Sequence, residues 1–168
     1  MRKFSGWSIA VLLLVLAAGA SAGWVVGQDG AKGPAHVMLN ASELKWGAPP
    51  PVFEKGATFT LMSGDPGKSG LYVVRLKMPA GYKIAPHWHP TDEHVTVLSG
   101  TFALGMGDAF DKAKMQELPA GGYALLPADM RHYAMAKTEA IVQVHGMGPF
   151  KLTYVNPADD PSTRAPKP

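Results

Sequence analysis

The stretch GYKIAPHWHPTDEHVTVLSG, residues 81–100, places three of the chain's six histidines within eight residues. His87 and His89 are two residues apart, so in a strand their side chains point to the same face. The Pro90-Thr91-Asp92 segment predicts a turn, after which Glu93 opens a second strand and returns towards the histidine pair. This hairpin therefore predicts three converging metal ligands.

Alternation along the second strand separates its remaining side chains into two faces. Val95 and Val97 share the face of Glu93, which indicates that this face is the interior of the fold. His94 points the other way and is predicted to be an exposed or interface histidine. It is therefore not expected to bind the metal.

A fourth ligand has to come from elsewhere in the chain. Of the three remaining histidines, His36 precedes the strand-rich region and is predicted to lie on the surface. His132 follows a proline turn and starts a new strand. This is the same type of strand-and-turn context that presents His87. His132 is the best candidate among His36, His132 and His145.

From Thr58 onward, short alternating segments separated by Gly and Pro turns predict about eight strands, typical of an all-β barrel or double-sheet sandwich. Only residues 107–118 break this rhythm, and they predict either a helical turn or an excursion between strands. The predicted strands after Thr58 include residues 70–78, 83–87, 93–98, 101–106, 123–126, 132–136, 140–145 and 150–155.

At these residues the sequence resembles the cupin superfamily. Gly81, His87, His89, Glu93 and Gly100 match every position of its first motif, G-x5-H-x-H-x3-4-E-x6-G. The resemblance implies an all-β fold, a single cupin-type β-barrel or double-sheet jelly roll with little helix, covering residues 58–155.

The second motif, G-x5-P-x-G-x2-H-x3-N, is matched in part, by Gly121, Pro127 and His132. Asp129 stands where the family has glycine, and Ala136 where it has asparagine. Neither difference removes a ligand, and Asp tolerates the left-handed turn conformation better than most residues. The resemblance thus implies one divalent metal, bound by His87, His89, Glu93 and His132.

Three imidazoles and one carboxylate suit Fe, Mn, Ni, Cu or Zn, and the sequence does not select among them. The chain has no cysteine, so thiolate ligands are excluded. Met130 and Met147 could add sulfur near the site, although packing is the more common role of a methionine in a strand.

The reaction is less constrained than the site. Cupins include dioxygenases, decarboxylases and isomerases, and a metal-dependent oxidoreductase of dioxygenase type acting on a small organic molecule is our leading hypothesis. Gln143 and His145 share one strand face and would contact the substrate if that face is interior; if Val142 and Val144 face inward instead, both are surface residues.

The alternative is a non-catalytic cupin that binds a metal or small ligand as a sensor or carrier. The barrel region also broadly resembles the zinc-binding half of some anti-sigma factors. No helical sigma-binding domain is evident before Thr58, which weakens that version. A homodimer is plausible because cupins often pair through sheet edges.

Residues 1–22 resemble a secretory signal peptide, with Arg2 and Lys3 before an apolar run at residues 9–18 and then Ala20-Ser21-Ala22. The apolar run is shorter than the ~20 residues that span a bilayer, so cleavage is favoured over a retained anchor. A periplasmic or secreted location with no stable membrane span is therefore expected.

Loss of Arg2 and Lys3 would reduce the net charge from +3 to +1, and no basic stripe suggests nucleic-acid binding. Residues 23–57 are assigned to a lead-in with a first strand. Residues 156–168 are assigned to a Pro-rich, solvated tail.

Overall fold

The computed structural model describes residues 36–164. The predicted signal peptide, the first part of the lead-in and the last four residues lie outside this range. Within it, no helix has both the length and the apolar character needed to cross a membrane.

The described residues form ten β-strands and four single-turn 3-10 helices, which confirms the all-β prediction. The strands are β1 (Thr58–Ser63), β2 (Gly70–Met78), β3 (Lys83–Trp88), β4 (Glu93–Ser99), β5 (Thr101–Met106), β6 (Gln116–Pro119), β7 (Tyr123–Leu126), β8 (His132–Ala136), β9 (Ala140–Gly148) and β10 (Thr153–Tyr154).

The strands make two five-stranded sheets of antiparallel pairs. One sheet has the order β1-β2-β9-β4-β7 and the other has the order β10-β3-β8-β5-β6. The long strands β2 and β9 pair along nine residues, from Gly70 with Gly148 to Met78 with Ala140. This pairing places β9 between β2 and β4, in the middle of the first sheet.

Alternation sends every second side chain of the first sheet into the space between the sheets. On β2 the buried residues are Tyr72, Val74, Leu76 and Met78, as the sequence predicts. The same period buries Val95 and Val97 on β4 and Val142 and Val144 on β9, and Phe102, Leu104 and Ala134 from the second sheet complete the core.

Several boundaries differ from the sequence prediction. Residues 107–118 contain a 3-10 turn at Lys112–Lys114 and the start of an additional edge strand, β6, which pairs with β5. The last strand is only two residues long, instead of the six predicted at 150–155. The first strand assigned to residues 23–57 is absent from residues 36–57, where only isolated bridges occur beside the 3-10 turn Ala41–Glu43.

The described part of the tail, residues 156–164, is more ordered than predicted. Asn156 and Asp160 cap two 3-10 turns, Pro157–Asp159 and Pro161–Thr163, by accepting hydrogen bonds from backbone N–H groups. Arg164 then forms an ion pair with Glu54. This segment is therefore attached to the lead-in and is not simply solvated.

Gly100 occupies a tight turn between β4 and β5 that other residues cannot adopt easily. Its φ is +74°, and a Cβ at this position would collide with the backbone oxygen of Glu139. Gly121 also has a positive φ, of +89°, but a Cβ there would meet no atom within 4 Å. A substitution at Gly121 therefore introduces backbone strain alone, whereas a substitution at Gly100 introduces strain and a steric collision.

We expect Gly121→Ala to lower the free energy of unfolding by about 1–2 kcal/mol, the cost of a left-handed alanine. Gly100→Ala should lower it by about 3 kcal/mol or more, because overpacking adds to the same strain. Urea denaturation of both variants measures the difference. Equal losses would show that the turn at Gly100 relaxes to accept a Cβ.

Candidate metal centre

The structure brings the predicted histidine hairpin and the distant histidine together. His87 lies near the end of β3 and pairs in register with His132 at the start of β8. His89 follows β3 directly, and Glu93 opens β4 after the short turn. One ring nitrogen of each of the three histidines lies within 4.8 Å of the others, so these residues could hold a metal ion.

Glu93 completes the cluster. Its Oε2 lies 3.6 Å from His89 Nε2 and 3.5 Å from His132 Nε2. Among the described residues, the three histidines are also the only buried histidines, at 3%, 4% and 1% exposure for His87, His89 and His132. The four side chains predicted as ligands therefore lie in one nearly solvent-free cluster.

Backbone hydrogen bonds orient all three rings. Nδ1–H of His87 donates to the Ala85 oxygen at 2.7 Å, and Nδ1–H of His132 donates to the Met130 oxygen at 2.9 Å. Nδ1–H of His89 donates to the Lys151 oxygen at 2.8 Å. A carbonyl can only accept, so each Nδ1 carries a proton, and in the neutral form of each ring Nε2 presents a lone pair to the cluster.

These lone pairs have too few protein partners. Within residues 36–164, His89 Nε2 and His132 Nε2 are buried and make no hydrogen bond. The neighbouring Glu93 Oε2 lies 3.6 and 3.5 Å from these atoms and is itself an acceptor, so it cannot satisfy them. Leaving such atoms unpaired costs about 1–3 kcal/mol each. Converging imidazole lone pairs beside a carboxylate fit a cation, and Nδ1–H donation to a backbone carbonyl is the usual outer contact of a metal-binding histidine.

The charge states also suit a metal. Burial, together with the neighbouring His132 and His89, lowers the pKa of His87 to about 3, so this imidazole is neutral at pH 7. Burial alone would raise the pKa of the Glu93 carboxyl, but His89 and His132 beside it lower that pKa to about 2. His87 is thus a neutral donor and Glu93 an anion.

The turn before β8 accommodates the residue that departs from the motif. Asp129 has a φ of +63°, the left-handed conformation that its glycine counterpart would adopt. Its backbone N–H donates to the His89 oxygen at 2.8 Å, and Asp92 accepts a hydrogen bond from the N–H of Ala128. The other substituted position, Ala136, is fully buried in β8. Asp129 therefore preserves the turn beside the cluster, although the family motif has glycine at this position.

The cluster borders a cavity of about 70 Å³ between the two sheets. His87, Glu93 and His132 contribute to its wall, and almost all of the rest is aliphatic or aromatic. A cavity of this size admits only a small ligand. The other lining residues are Pro50, Phe53, Phe59, Pro66, Tyr72, Val74, Leu76, Met78, Ile84, Val95, Phe102, Leu104, Ala134, Val142, Val144, Phe150 and Leu152.

Aromatic rings connect the lead-in to the metal cluster. The ring of Phe150 lies 5.2 Å from that of His89 and 6.0 Å from that of Tyr72, measured between centroids. On its other side Phe150 stacks with Phe53, at 6.4 Å and an interplanar angle of 11°. Phe150 therefore stands between Phe53 of the lead-in and His89 of the cluster.

Two buried tyrosines hold the lead-in against the barrel. The Tyr82 hydroxyl donates to the Glu54 oxygen at 2.7 Å, and the Tyr154 hydroxyl donates to the Val52 oxygen at 2.8 Å. These bonds hold in place the segment 50–54, from which Pro50 and Phe53 line the cavity. No strand pattern marks this role in the sequence; the only signal for it is the pair of apolar residues Val52 and Phe53 within a Gly- and Pro-rich segment.

Gln143 and His145 do not line the cavity. Val142 and Val144 occupy the interior face of β9, so the polar pair lies on the outer face. Gln143 accepts a hydrogen bond from Nε of Arg75 at 3.0 Å. The structure therefore places Gln143 and His145 away from the proposed substrate space, which corrects their assignment as substrate contacts.

The other histidines and methionines considered also lie outside the cluster. His94 stacks on His145 across the outer face, with ring centroids 4.7 Å apart and an interplanar angle of 7°. His36 is exposed, and neither Met130 nor Met147 lines the cavity. Met130 contributes only its backbone oxygen, to His132.

Comparison with known proteins supports the same fold. Residues 34–151 match the family model of the ChrR cupin-like domain. No curated protein matches the chain. The family match covers more than half of the sequence and includes the four clustered residues.

Solved structures with low sequence identity share the architecture. The polyketide cyclase RemF from Streptomyces resistomycificus is 16% identical, with a TM-score of 0.63 over 76% of this chain and 91% of that one. A "putative acetylacetone dioxygenase" from Methylibium petroleiphilum PM1 is 21% identical, with a TM-score of 0.58 over 76% and 85% of the two chains. KdgF from a Halomonas species is 19% identical, with a TM-score of 0.51 over 66% and 94%. At these identities the likeness establishes the fold.

We expect zinc to raise the melting temperature of the metal-free protein, and His132→Ala to remove this increase. Binding only to the folded state adds about 2.7 kcal/mol at a zinc concentration 100 times Kd. His94→Ala is the matched control and should keep the increase, because His94 lies on the outer face. Differential scanning calorimetry with and without zinc measures the rise in melting temperature. An undiminished rise in His132→Ala would contradict the assignment of His132 as a metal ligand.

Proposed function

The chain belongs to the ChrR cupin-like family, and we propose that it is an exported, metal-dependent oxidoreductase of dioxygenase type that acts on a small organic molecule. The observation that carries this proposal is the buried cluster of three histidines with convergent ring nitrogens, which borders an apolar cavity. Each part of the proposal can be tested separately.

The residues that would hold the metal are His87, His89, Glu93 and His132. Four protein ligands leave two positions of an octahedral ion for other molecules. When bound, iron, manganese, nickel or copper would supply the capacity to bind and activate dioxygen. The protein supplies three pre-oriented imidazoles, one carboxylate and a wall that limits access of water.

The cavity wall supports a small substrate with a mainly apolar body. Aromatic and aliphatic side chains line nearly all of it, and its volume is about 70 Å³. A short 1,3-dicarbonyl compound or a small phenol matches this character, since each combines a compact apolar frame with an oxygen that can approach a metal. Acetylacetone is the test compound we favour, and one structural relative carries the name "putative acetylacetone dioxygenase".

We expect the protein loaded with Fe, Mn, Ni or Cu to consume dioxygen in the presence of acetylacetone or a small phenol. His87→Ala should reduce this rate at least about 100-fold, the size of loss typical for damaged metal sites. Gln143→Ala and His145→Ala should keep the wild-type rate, because both residues lie outside the cavity. An oxygen electrode measures all four proteins, and no uptake with any of the metals would contradict the oxidoreductase proposal.

Export is proposed from the first 22 residues. Arg2 and Lys3, the apolar run and Ala20-Ser21-Ala22 are typical of a cleaved secretory signal. We expect the mature protein to begin at Gly23 and to be found in the periplasm or medium. Intact-mass measurement of protein from each cell fraction tests this, and a full-length chain in the membrane fraction would instead indicate a retained anchor.

A second candidate is a non-catalytic cupin that binds a metal or small ligand as a sensor or carrier. It is favoured by the nearly complete burial of the three histidines, which is typical of closed structural sites. Elemental analysis of protein from its own compartment separates the two. Zinc alone, with a lower melting temperature after chelation and no turnover, would support this candidate, whereas iron, manganese or copper would support the first.

A further inference from the structure

The cavity contains one polar side chain outside the proposed ligand set. Among its lining residues in the described part of the chain, only His87, Glu93, His132 and Tyr72 carry a side-chain nitrogen or oxygen. The first three belong to the metal cluster. The Tyr72 hydroxyl is therefore the polar group of this wall that is not a proposed metal ligand and can contact a small molecule in the cavity.

The sheet register brings Tyr72 towards the metal cluster. Gly146 on β9 pairs with Tyr72 of β2 on one side and with Glu93 of β4 on the other. The three residues thus form one row across the sheet, and Tyr72 and Glu93 both face the cavity. Glycine in the middle position leaves the space between them free of a side chain.

The Tyr72 side chain uses this space. A Cβ on Gly146 would lie 3.2 Å from the Tyr72 hydroxyl oxygen and 3.5 Å from the ring carbon that carries it. The phenol therefore leans over Gly146 in the direction of Glu93. Any larger residue at position 146 would crowd the hydroxyl and would also press against the backbone oxygen of Asp92, at 2.8 Å.

The hydroxyl of Tyr72 differs from those of the other tyrosines. Tyr82, Tyr133 and Tyr154 each donate to a backbone oxygen at 2.7–3.0 Å, and the Tyr123 hydroxyl is hydrogen-bonded with His94. None of the described residues forms a hydrogen bond with the Tyr72 hydroxyl, although the residue is only 2% exposed. A buried tyrosine usually finds such a partner.

The phenol also stays protonated across the usual pH range. Burial, followed by the charge of Glu93, raises the pKa of Tyr72 well above its ordinary value. The Tyr72 hydroxyl is thus free to donate to an oxygen of a small ligand in the cavity.

We propose that Tyr72 is the residue that fixes the orientation of the substrate, by donating a hydrogen bond from its hydroxyl to a carbonyl, enolate or phenolate oxygen in the cavity. Gly146 is the residue that leaves room for this donor. The inference rests on the proposed function for the class of substrate, and it adds the residue that selects oxygen-bearing molecules among those small enough to enter.

A purely structural role for Tyr72 makes a different prediction. Its ring packs edge-on against Phe150 and is surrounded by core residues, and phenylalanine would preserve these contacts. Removing a hydroxyl without a protein partner should leave stability unchanged or raise it, because no hydrogen bond is lost. Only ligand binding should then depend on the oxygen atom.

The test compares Tyr72→Phe with wild type, using the full-length chain loaded with zinc. Zinc has no redox chemistry, so acetylacetone binding can be measured by isothermal titration calorimetry without oxidation. Tyr133→Phe is the matched control: it also removes a buried hydroxyl, but one that donates to Asp111 outside the cavity. Zinc content and melting temperature are recorded for all three proteins.

We expect Tyr72→Phe to raise the Kd for acetylacetone roughly tenfold, the effect of one lost hydrogen bond. Its zinc content should equal that of wild type and its melting temperature should not fall. Tyr133→Phe should bind acetylacetone as wild type does but melt at a lower temperature. This pattern would assign the ligand contact to Tyr72.

Two results would overturn the inference. One is a Kd for Tyr72→Phe within twofold of wild type, and the other is no acetylacetone binding by the wild-type zinc protein at millimolar concentration. Neither result depends on turnover. Weaker binding by Tyr72→Phe without oxygen uptake by any metal form of the wild type would instead uphold Tyr72 and reject the oxidoreductase proposal.

Discussion

The arrangement of the site depends on three hydrogen bonds from histidine Nδ1 atoms to backbone oxygens. Those oxygens belong to Ala85, Lys151 and Met130, so the rings of His87, His89 and His132 are fixed by the main chain. Each bond selects the tautomer in which Nε2 carries a lone pair. The sheets therefore fix the position of each ring and turn its Nε2 towards the cluster.

This arrangement is unfavourable for the protein alone. Buried lone pairs of His89 and His132 face a carboxylate without a hydrogen-bond donor among the described residues. The surrounding core of Val, Leu and aromatic side chains holds the cluster together in spite of this cost. A cation would satisfy the imidazoles and the carboxylate of Glu93 at once, so metal binding and folding should be coupled.

The two-residue period of strands predicts a strand-rich fold and the convergence of His87, His89 and Glu93, whereas the cupin barrel and the place of His132 in the cluster follow from the resemblance to the cupin motifs. The period excluded His94 and placed Val95 and Val97 inside, and the structure agrees on both. The same period could not decide between the two faces of β9. It separates Gln143 from Val144, but which set is interior depends on pairing with β2 and β4.

Contacts between distant segments could not be predicted in the same way. Tyr154 binds the oxygen of Val52, 102 residues away, and Tyr82 binds that of Glu54. These bonds position residues 50–54, which have no strand pattern, so that Pro50 and Phe53 line the cavity. The edge strand β6 was missed for a related reason, since its four residues alternate too briefly and gain their structure from pairing with β5.

Local sequence patterns and long-range contacts also account for different parts of the site, the metal ligands and the cavity wall. Metal binding depends on closely spaced residues with a strict spacing, so His87, His89 and Glu93 can be recognised from a short stretch of sequence. Selectivity depends on the walls, where Phe53 comes from the lead-in and Phe150 from the segment between β9 and β10. Proteins with the same ligand pattern can therefore differ in substrate, because the residues that surround the ligand are positioned by long-range contacts that the motif does not contain.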